Sequence, residues 1–277
     1  MALLTNLKKQ LRPILDSKAG LRIRVLLNTK APLMLKPGNG MAPVSDMFFW
    51  KQDACWDTVF NLTNIGTSIL PEEMVSDHVI CYIWDAQGNK ILEKTYDLAP
   101  HAMKRLYFKD FKVQGQGSFA CFHDIGDYKV LLQHGSHIVE RGYVGYRRDN
   151  GLWNFLHGNL HAAYYDIKKS NSVKSMLLTS LFKKSVYKPQ VRFDDCDQFS
   201  LVFINSSHKK QTLSLELRLS SGNVLNKTVN LEDLSTKEVL IDNPGRLIQN
   251  VFIHSKIILC RPIIMKYYSH YFDIFHA

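Results

Sequence analysis

The sequence predicts a mainly β protein made of two tandem antiparallel, jelly-roll-like β-sandwich domains. Short runs that alternate apolar and polar residues recur along the chain, turn-forming residues separate them, and the series begins again after a basic stretch at residues 167–192. A length of 277 residues leaves room for two domains at roughly 150 residues each. With 45% hydrophobic and 22% charged residues the composition is that of a packed protein, which excludes collagen-like and wholly disordered chains.

Changes of pattern divide the chain into four segments. Residues 1–20 predict a short N-terminal basic amphipathic helix, and residues 21–166 a first β-sandwich domain. Residues 167–192 predict a helical basic linker, and residues 193–277 a second β-sandwich domain. One large closed β-barrel or double jelly roll is the alternative arrangement.

Each expected strand is a run rich in β-branched and aromatic residues that is bounded by turn signals. The first domain has such runs at 21–27, 58–63, 78–84, 91–96, 105–108, 118–123, 143–147 and 153–161. The second has them at 199–204, 212–219, 224–229, 238–241, 251–253 and 257–268. The proline- and glycine-rich stretch at 31–45 predicts a long loop.

The second domain is expected to repeat the first. A hairpin turn at Gly88-Asn89 is matched by Gly222-Asn223 in the second half. Each half also ends in an aromatic run that closes on a histidine, His157 in the first and His276 in the second. A duplication would make these two histidines equivalent positions.

The basic charge of the chain is concentrated in two short segments. Residues 1–36 carry eight basic groups against one acidic group, and residues 167–192 carry seven against none, which makes +7 in each. Since the net charge of the whole chain is +10, the remaining residues sum to −4. This partition favours local patches for an anionic partner over a uniformly basic nucleic-acid binder.

Both basic segments have helical periodicity, with leucines at spacings of three and four residues. Such helices either dock on their own domain or lie against an anionic membrane surface or an acidic protein partner. The cations expected to face that surface are Lys8, Lys9, Arg12, Lys183 and Lys184.

We expect a cytoplasmic protein, peripheral at the membrane if the basic helices bind lipid. The most apolar stretch, residues 251–265, is too short to span a bilayer, and charges interrupt any secretory signal at the start of the chain. Five widely spaced cysteines without a Cys-x-x-Cys pair argue against a disulfide framework and a structural zinc site. No cofactor is expected, because P-loop and dinucleotide-binding motifs are missing.

The richest cluster of candidate binding residues lies at 153–161. On a single strand, alternate residues from Trp153 to His161 share one face, on which aromatic rings stand beside asparagine and histidine side chains. Such a face suits a polar ligand, for which a glycan is the compositional guess. A metal site is not expected, because histidines four residues apart on a strand are separated by about 13 Å. The expected ligand contacts are Trp153, His157, Asn159 and Arg147.

Two other classes of function remain open. One is an enzyme that acts on a sugar or acyl substrate with a histidine as general acid or base. The other is a structural protein of a larger complex, a homo-oligomer joined through the C-terminal aromatic run at 267–276. The candidate catalytic residues are His157, His161, His123, Asp124 and His276.

Residues 141–148 interleave basic and aromatic side chains, as RNA-stacking strands do. The run resembles part of the RNP1 pattern of RNA-recognition motifs. However, Val144 stands where that pattern has a small residue and Gly145 where it has an aromatic one. Nucleic acid is therefore not an expected partner.

Overall fold

A computed structural model describes residues 44–69, 75–124, 142–166, 172–175, 184–257 and 260–276, together with residues 14, 19, 20, 23 and 179. These residues form a mainly β protein with four antiparallel sheets, which confirms the predicted class. The predicted helix at residues 1–20 and the strand at 21–27 lie outside the described residues, apart from those single positions. No helix in the described ranges is long and apolar enough to cross a membrane.

The strands follow one another in two series. In the first half they are β1 (Val44–Gln52), β2 (Trp56–Thr63), β3 (Asp77–Asp85), β4 (Lys90–Leu98), β5 (Met103–Tyr107), β6 (Gly115–Asp124), β7 (Tyr143–Arg148), β8 (Asn154–His157), β9 (Asn159–Asp166) and β10 (Ser172–Ser175). A short helix, α1 (Ile65–Ile69), follows β2, and single 3-10 turns occupy Phe108–Phe111 and Pro244–Arg246. In the second half they are β11 (Ser185–Tyr187), β12 (Gln198–Ile204), β13 (Gln211–Leu219), β14 (Val224–Leu231), β15 (Thr236–Asp242), β16 (Ile248–Ser255), β17 (Ile263–Tyr267) and β18 (Phe272–His276).

The two halves have the same strand order. The first half contains the six-stranded sheet β10-β9-β1-β6-β3-β4 and the β2 sheet, β5-β2-β7-β8. The second contains the β13 sheet, β11-β16-β13-β14, and the β12 sheet, β15-β12-β17-β18. Each strand from β11 to β18 thus takes the place of the strand ten numbers earlier, while β9 and β10 extend the first half alone.

A buried asparagine anchors equivalent positions in the two halves. Asn64 follows β2 and Asn205 follows β12, and each backbone N–H donates to a carbonyl, of Ala102 and Ser235 respectively. Each side-chain amide also donates to carbonyls of neighbouring loops. Because buried amides need such partners, both positions fix the loop that follows the strand.

When Asn64 is aligned with Asn205, other residues of the two halves fall at equivalent positions. Asn61, three residues before Asn64, lies opposite Tyr143, which in turn lies opposite His157. In the second half Val202 lies opposite Ile263, which lies opposite His276. His157 and His276 therefore occupy equivalent positions, as a duplication would require.

The predicted hairpin turns are confirmed in both halves. In the β3–β4 turn the N–H of Gly88 donates to Asp85, and in the β13–β14 turn that of Gly222 donates to Leu219. The two glycines have φ angles of 90° and 84°, which L side chains rarely adopt. The turn chemistry recognised in the sequence therefore sets the register of each hairpin.

The described residues form two apolar cores, and the β12 sheet contributes side chains to both. Its Leu201 and Phe203 pack in the second core, while Val202, Ile204 and Phe272 pack in the first core from the opposite side of the sheet. A sheet buried on both faces has no alternation of apolar and polar residues. This explains why residues 198–204 form an almost continuous apolar run.

The expected loop at 31–45 ends earlier than predicted, because β1 begins at Val44. This strand lies between β9 and β6 inside the six-stranded sheet, and Phe48, Phe49 and Trp50 are fully buried. The strand was not predicted from the sequence, since side chains buried on both faces do not alternate.

The predicted helical linker is wrong where the structure describes it. Ser172–Ser175 forms β10 on the edge of the six-stranded sheet, where Val173 is buried opposite Tyr165. Ser185–Tyr187 forms β11 and pairs with β16. Pairing and burial outweigh the helical spacing of the leucines, as tertiary contacts commonly do. Lys183 lies outside the described residues, and Lys184 is exposed.

Candidate ligand-binding site

The outward side of the β2 sheet carries the candidate site. Cross-strand pairing places Asp57 opposite Arg147, and Asn61 between Arg105 and Tyr143. These side chains are half-buried or exposed, whereas the other side of the same sheet lies in the first core. We call this surface the β7 face; its members are Asn61, Arg105, Tyr143, Arg147, Phe155 and His157, with Trp153 at the end of it.

Arg147 is held in place by a chain of hydrogen bonds. Its Nε donates to Asp57 Oδ2 at 3.1 Å and its Nη2 bonds to the same oxygen, while Gln52 Nε2 donates to Asp57 Oδ1 at 3.1 Å. Burial would raise the pKa of Asp57, but the hydrogen bonds from Arg147 and Gln52 hold it below its ordinary value. The guanidinium is therefore fixed beside an ionised carboxylate before any ligand arrives.

Aromatic side chains lie beside Arg147 and farther along the β7 face. The guanidinium carbon lies 4.9 Å from the ring centroid of Trp153, which is 6.4 Å from that of Phe155. Phe155 is 47% exposed and Tyr143 39% exposed. Phe155 lies over Gly145, where an added Cβ would come within 2.6 Å of its ring. Because Gly145 has no side chain, the ring of Phe155 can lie directly over the backbone of β7.

The two equivalent histidines meet at the edge of this face. The rings of His157 and His276 have centroids 4.2 Å apart, and His276 Nε2 lies 2.6 Å from the carbonyl oxygen of His157. Asn154 Nδ2 donates to the carbonyl of Phe272 at 3.1 Å. Strand β8 is therefore joined to β18, and His157 is positioned by the second half.

The strand predicted at 153–161 is broken at Gly158. A Cβ at this position would lie 2.3 Å from Asp46 Cβ, and the chain passes there from the β2 sheet to the six-stranded sheet. Asn159 consequently lies opposite Met47 in another sheet and does not share the β7 face, and His161 belongs to the same strand, β9. The side chains of Asn159 and His161 are outside the described part of the structure.

The other catalytic candidates form a separate group. His123 is buried, and its Nδ1 lies 2.8 Å from Oδ2 of the equally buried Asp77. Asp77 also accepts a hydrogen bond from the backbone of Ile65 at 3.1 Å. Asp124 is the next residue on β6. In the described ranges, no three histidine, cysteine or acidic side chains converge on a possible metal site.

The second half provides an internal comparison for the β7 face. The positions equivalent to Asn61 and Tyr143 are Val202 and Ile263, and both are buried in the first core. The same side of the duplicated sheet is therefore apolar and covered in the second half, but polar, aromatic and exposed in the first. Asn61, Arg105 and Tyr143 were missed in the sequence, because strand spacing alone does not reveal which strands pair.

No protein-family model matches the chain, and no curated protein matches it. Among solved structures, the chain is similar to the tandem CBM22-1–CBM22-2 domains of Xyn10C from Paenibacillus barcinonensis, with 9% identity and a TM-score of 0.19 over 82% of this chain and 80% of that one. It is also similar to the M60 catalytic domain with CBM51-1 and CBM51-2 from Clostridium perfringens ZmpB, with 9% identity and a TM-score of 0.19.

That second match covers 76% of this chain but 31% of the other. Bacteroides uniformis beta-glucuronidase 2 matches with 10% identity and a TM-score of 0.18, over 85% of this chain and 26% of that one. TM-scores of this size carry no argument about function. The site is therefore interpreted from its own geometry.

Proposed function

We propose that the protein is a binding protein that recognises a polar ligand of the saccharide class on the β7 face. The observation that carries this proposal is the exposure of Phe155 and Tyr143 on the same surface as a half-buried Trp153 and a fixed Arg147, whereas the counterpart of this surface in the second half is apolar and covered. We further propose that the chain consists of two tandem β-sandwich domains, divided near residues 167–192.

The chemistry of the face suits a sugar because it combines flat apolar rings with directional polar groups. Aromatic rings can stack against the C–H side of a pyranose, while Arg147, Asn61 and His157 offer hydrogen bonds to its hydroxyls. Since Asp57 holds Arg147, little side-chain entropy is lost when the ligand binds.

The test is a glycan array with the full chain, followed by calorimetry on the strongest ligand. We expect Trp153→Ala to weaken binding at least about tenfold, because a stacking surface and the packing of the guanidinium are lost together. Leu152→Ala is the matched control, since the adjacent Leu152 is 86% exposed and lies outside the β7 face.

Thermal unfolding of each variant separates binding from folding. A Trp153→Ala protein that unfolds with unchanged midpoint but binds poorly supports the proposal. Binding that survives Trp153→Ala and Phe155→Ala together would show that the ligand contacts another surface. An unfolded Trp153→Ala protein would assign Trp153 to the core. The effect of Phe155→Ala on binding would then decide whether the ligand contacts the β7 face.

We also propose that the N-terminal basic segment attaches the protein to anionic membranes, which the concentration of charge in residues 1–36 supports. Full-length protein should float with liposomes that contain phosphatidylserine and not with neutral ones, and added salt should weaken the attachment. The triple replacement of Lys8, Lys9 and Arg12 by alanine should abolish flotation. Equal flotation of that variant and of a control with Lys104, Lys227 and Lys237 replaced would contradict the proposal.

A further inference from the structure

A cavity of 300 Å³ lies at the seam between the two halves, apart from the β7 face. This volume is at the lower end of the range for small-molecule sites. We call it the seam cavity. Its lining residues are Lys51, Trp56, Gln116 and Arg148 from the first half, and Gln198, Glu238, Leu240 and Tyr267 from the second.

A largely buried ion pair lines the seam cavity and forms what we call its floor. Lys51 Nζ lies 2.7 Å from Glu238 Oε2, and the two side chains are 16% and 12% exposed. The other carboxylate oxygen, Oε1, accepts hydrogen bonds from Ser200 at 2.7 Å and Tyr267 at 2.9 Å. Burial would raise the pKa of Glu238, but Lys51 and these hydrogen bonds hold it below its ordinary value.

Both oxygens of Glu238 are therefore occupied by the protein itself, so the acid has little acceptor capacity left for a ligand. Lys51 has three N–H donors, of which Glu238 takes one, and its Nζ stands 4.9 Å from the ring centroid of Trp56. The floor thus presents donors rather than acceptors.

The rim of the cavity also presents more hydrogen-bond donors than acceptors. Arg148 bonds to Asp149 through Nε at 3.2 Å and stacks 5.6 Å from the ring centroid of Tyr267. Its guanidinium has five donors, so several remain for a ligand. Gln116 contributes an amide, while Gln198 donates its Nε2 to Asp242 and keeps its carbonyl for a hydroxyl group.

The apolar walls limit the size and shape of what can bind. Trp56 and Tyr267 lie edge to face, with ring centroids 6.2 Å apart, and Leu240, which is 49% exposed, also lines the cavity. A ligand in this space must offer a compact body to the rings and an acceptor-rich group to Arg148 and Lys51.

We propose that the seam cavity binds a small monocarboxylate with a hydroxylated body, of hexuronic acid size. The carboxylate accepts hydrogen bonds from Arg148 and Lys51, and a hydroxyl donates to Gln198. A single negative charge matches the site better than a dianion, because Glu238 already neutralises Lys51.

Fluorine NMR of the full chain labelled with 5-fluorotryptophan tests this directly, with D-glucuronate and D-glucose as probes. The sequence has four tryptophans. Trp56 lines the seam cavity, Trp153 reports on the β7 face, and Trp50 and Trp84 are buried references. We expect glucuronate to shift the Trp56 signal alone, and glucose to need at least about a tenfold higher concentration, because the charge-assisted bonds are lost.

Arg148→Ala should weaken glucuronate binding at least about tenfold. Arg218→Ala is its control, since Arg218 also pairs with a carboxylate and stacks on an aromatic ring, but lies in the β13 sheet, which contributes none of the lining residues. Leu240→Phe should block the cavity, whereas Leu247→Phe, at a leucine of similar exposure, should not.

Three results would overturn the seam-cavity proposal: a Trp56 signal that neither probe shifts, equal affinity for glucose and glucuronate, or binding unaffected by both Arg148→Ala and Leu240→Phe. A shift of Trp153 without Trp56 would also reject it while supporting the β7 face. Loss of saccharide binding on Trp153→Ala leaves the seam cavity unaffected, so the two proposals fail separately.

Discussion

Replacing Glu238 with glutamine is expected to lower the free energy of unfolding by about 3 kcal/mol. The change leaves Lys51, whose side chain is 16% exposed, without its carboxylate at the contact between the two halves. Ser200 and Tyr267 also lose a charged acceptor. Urea unfolding at neutral pH measures the loss, and Glu93→Gln is the control, because its pair with Lys90 is about half exposed and contributes little.

The same variant should change how stability depends on pH. Because the pKa of Glu238 is lowered in the folded protein, its stabilisation is present above the ordinary value of 4.5 and is lost as the pH falls from there through the folded-state value. The gap between wild type and Glu238→Gln should therefore narrow in acid. The double variant Lys51→Met/Glu238→Leu should recover part of the loss. A Glu238→Gln protein as stable as Glu93→Gln would show that the pair does not hold the halves together.

Alanine at position 117 is expected to cost about 3 kcal/mol. Gly117 lies in β6, where an added Cβ would stand 2.0 Å from the carbonyl oxygen of Trp84 and 2.8 Å from Nε1 of Trp50. That carbonyl accepts the indole hydrogen bond of Trp50 at 2.9 Å. Because Trp50 is fully buried and stacks on Phe108, neither the backbone nor the ring has space to move.

Gly222→Ala separates steric overlap from backbone strain in this experiment. Gly222 has a φ of 84° but nothing within 4 Å of an added Cβ, so its replacement should cost only about 1 kcal/mol. Denaturant unfolding of both variants gives the comparison. If Gly117→Ala is no more costly than Gly222→Ala, the space around Trp50 is larger than the structure indicates.

Much of the strand pattern was predictable from local sequence. The runs at 78–84 and 118–123 became β3 and β6 with ends extended by one to three residues, because alternation and turn residues are local signals. Strand β1 was not predictable in this way, since Phe48 and Phe49 point to opposite sides of the sheet and are both buried. Strand order was also hidden, because pairing joins residues far apart in sequence.

The candidate site was predictable only where its residues are close in sequence. Trp153, Arg147 and His157 do lie on or beside one surface, since neighbouring strands β7 and β8 are close in sequence. Asn159 does not share that surface, because Gly158 packs on Asp46, a contact with a residue more than a hundred positions earlier. The ion pair of Arg147 with Asp57 and that of Lys51 with Glu238 in the seam cavity also join residues far apart in sequence, 90 and 187 positions respectively.

The doubly buried β12 sheet has a consequence for synthesis of the chain. Residues of the first core include Val202, Met265 and Phe272, which the ribosome adds long after β1 to β8. Until those residues emerge, the nascent first half exposes the apolar surface that they later cover. The first half can therefore complete its core only once the second half has been made, and a chaperone that shields this surface would act on the first half before then.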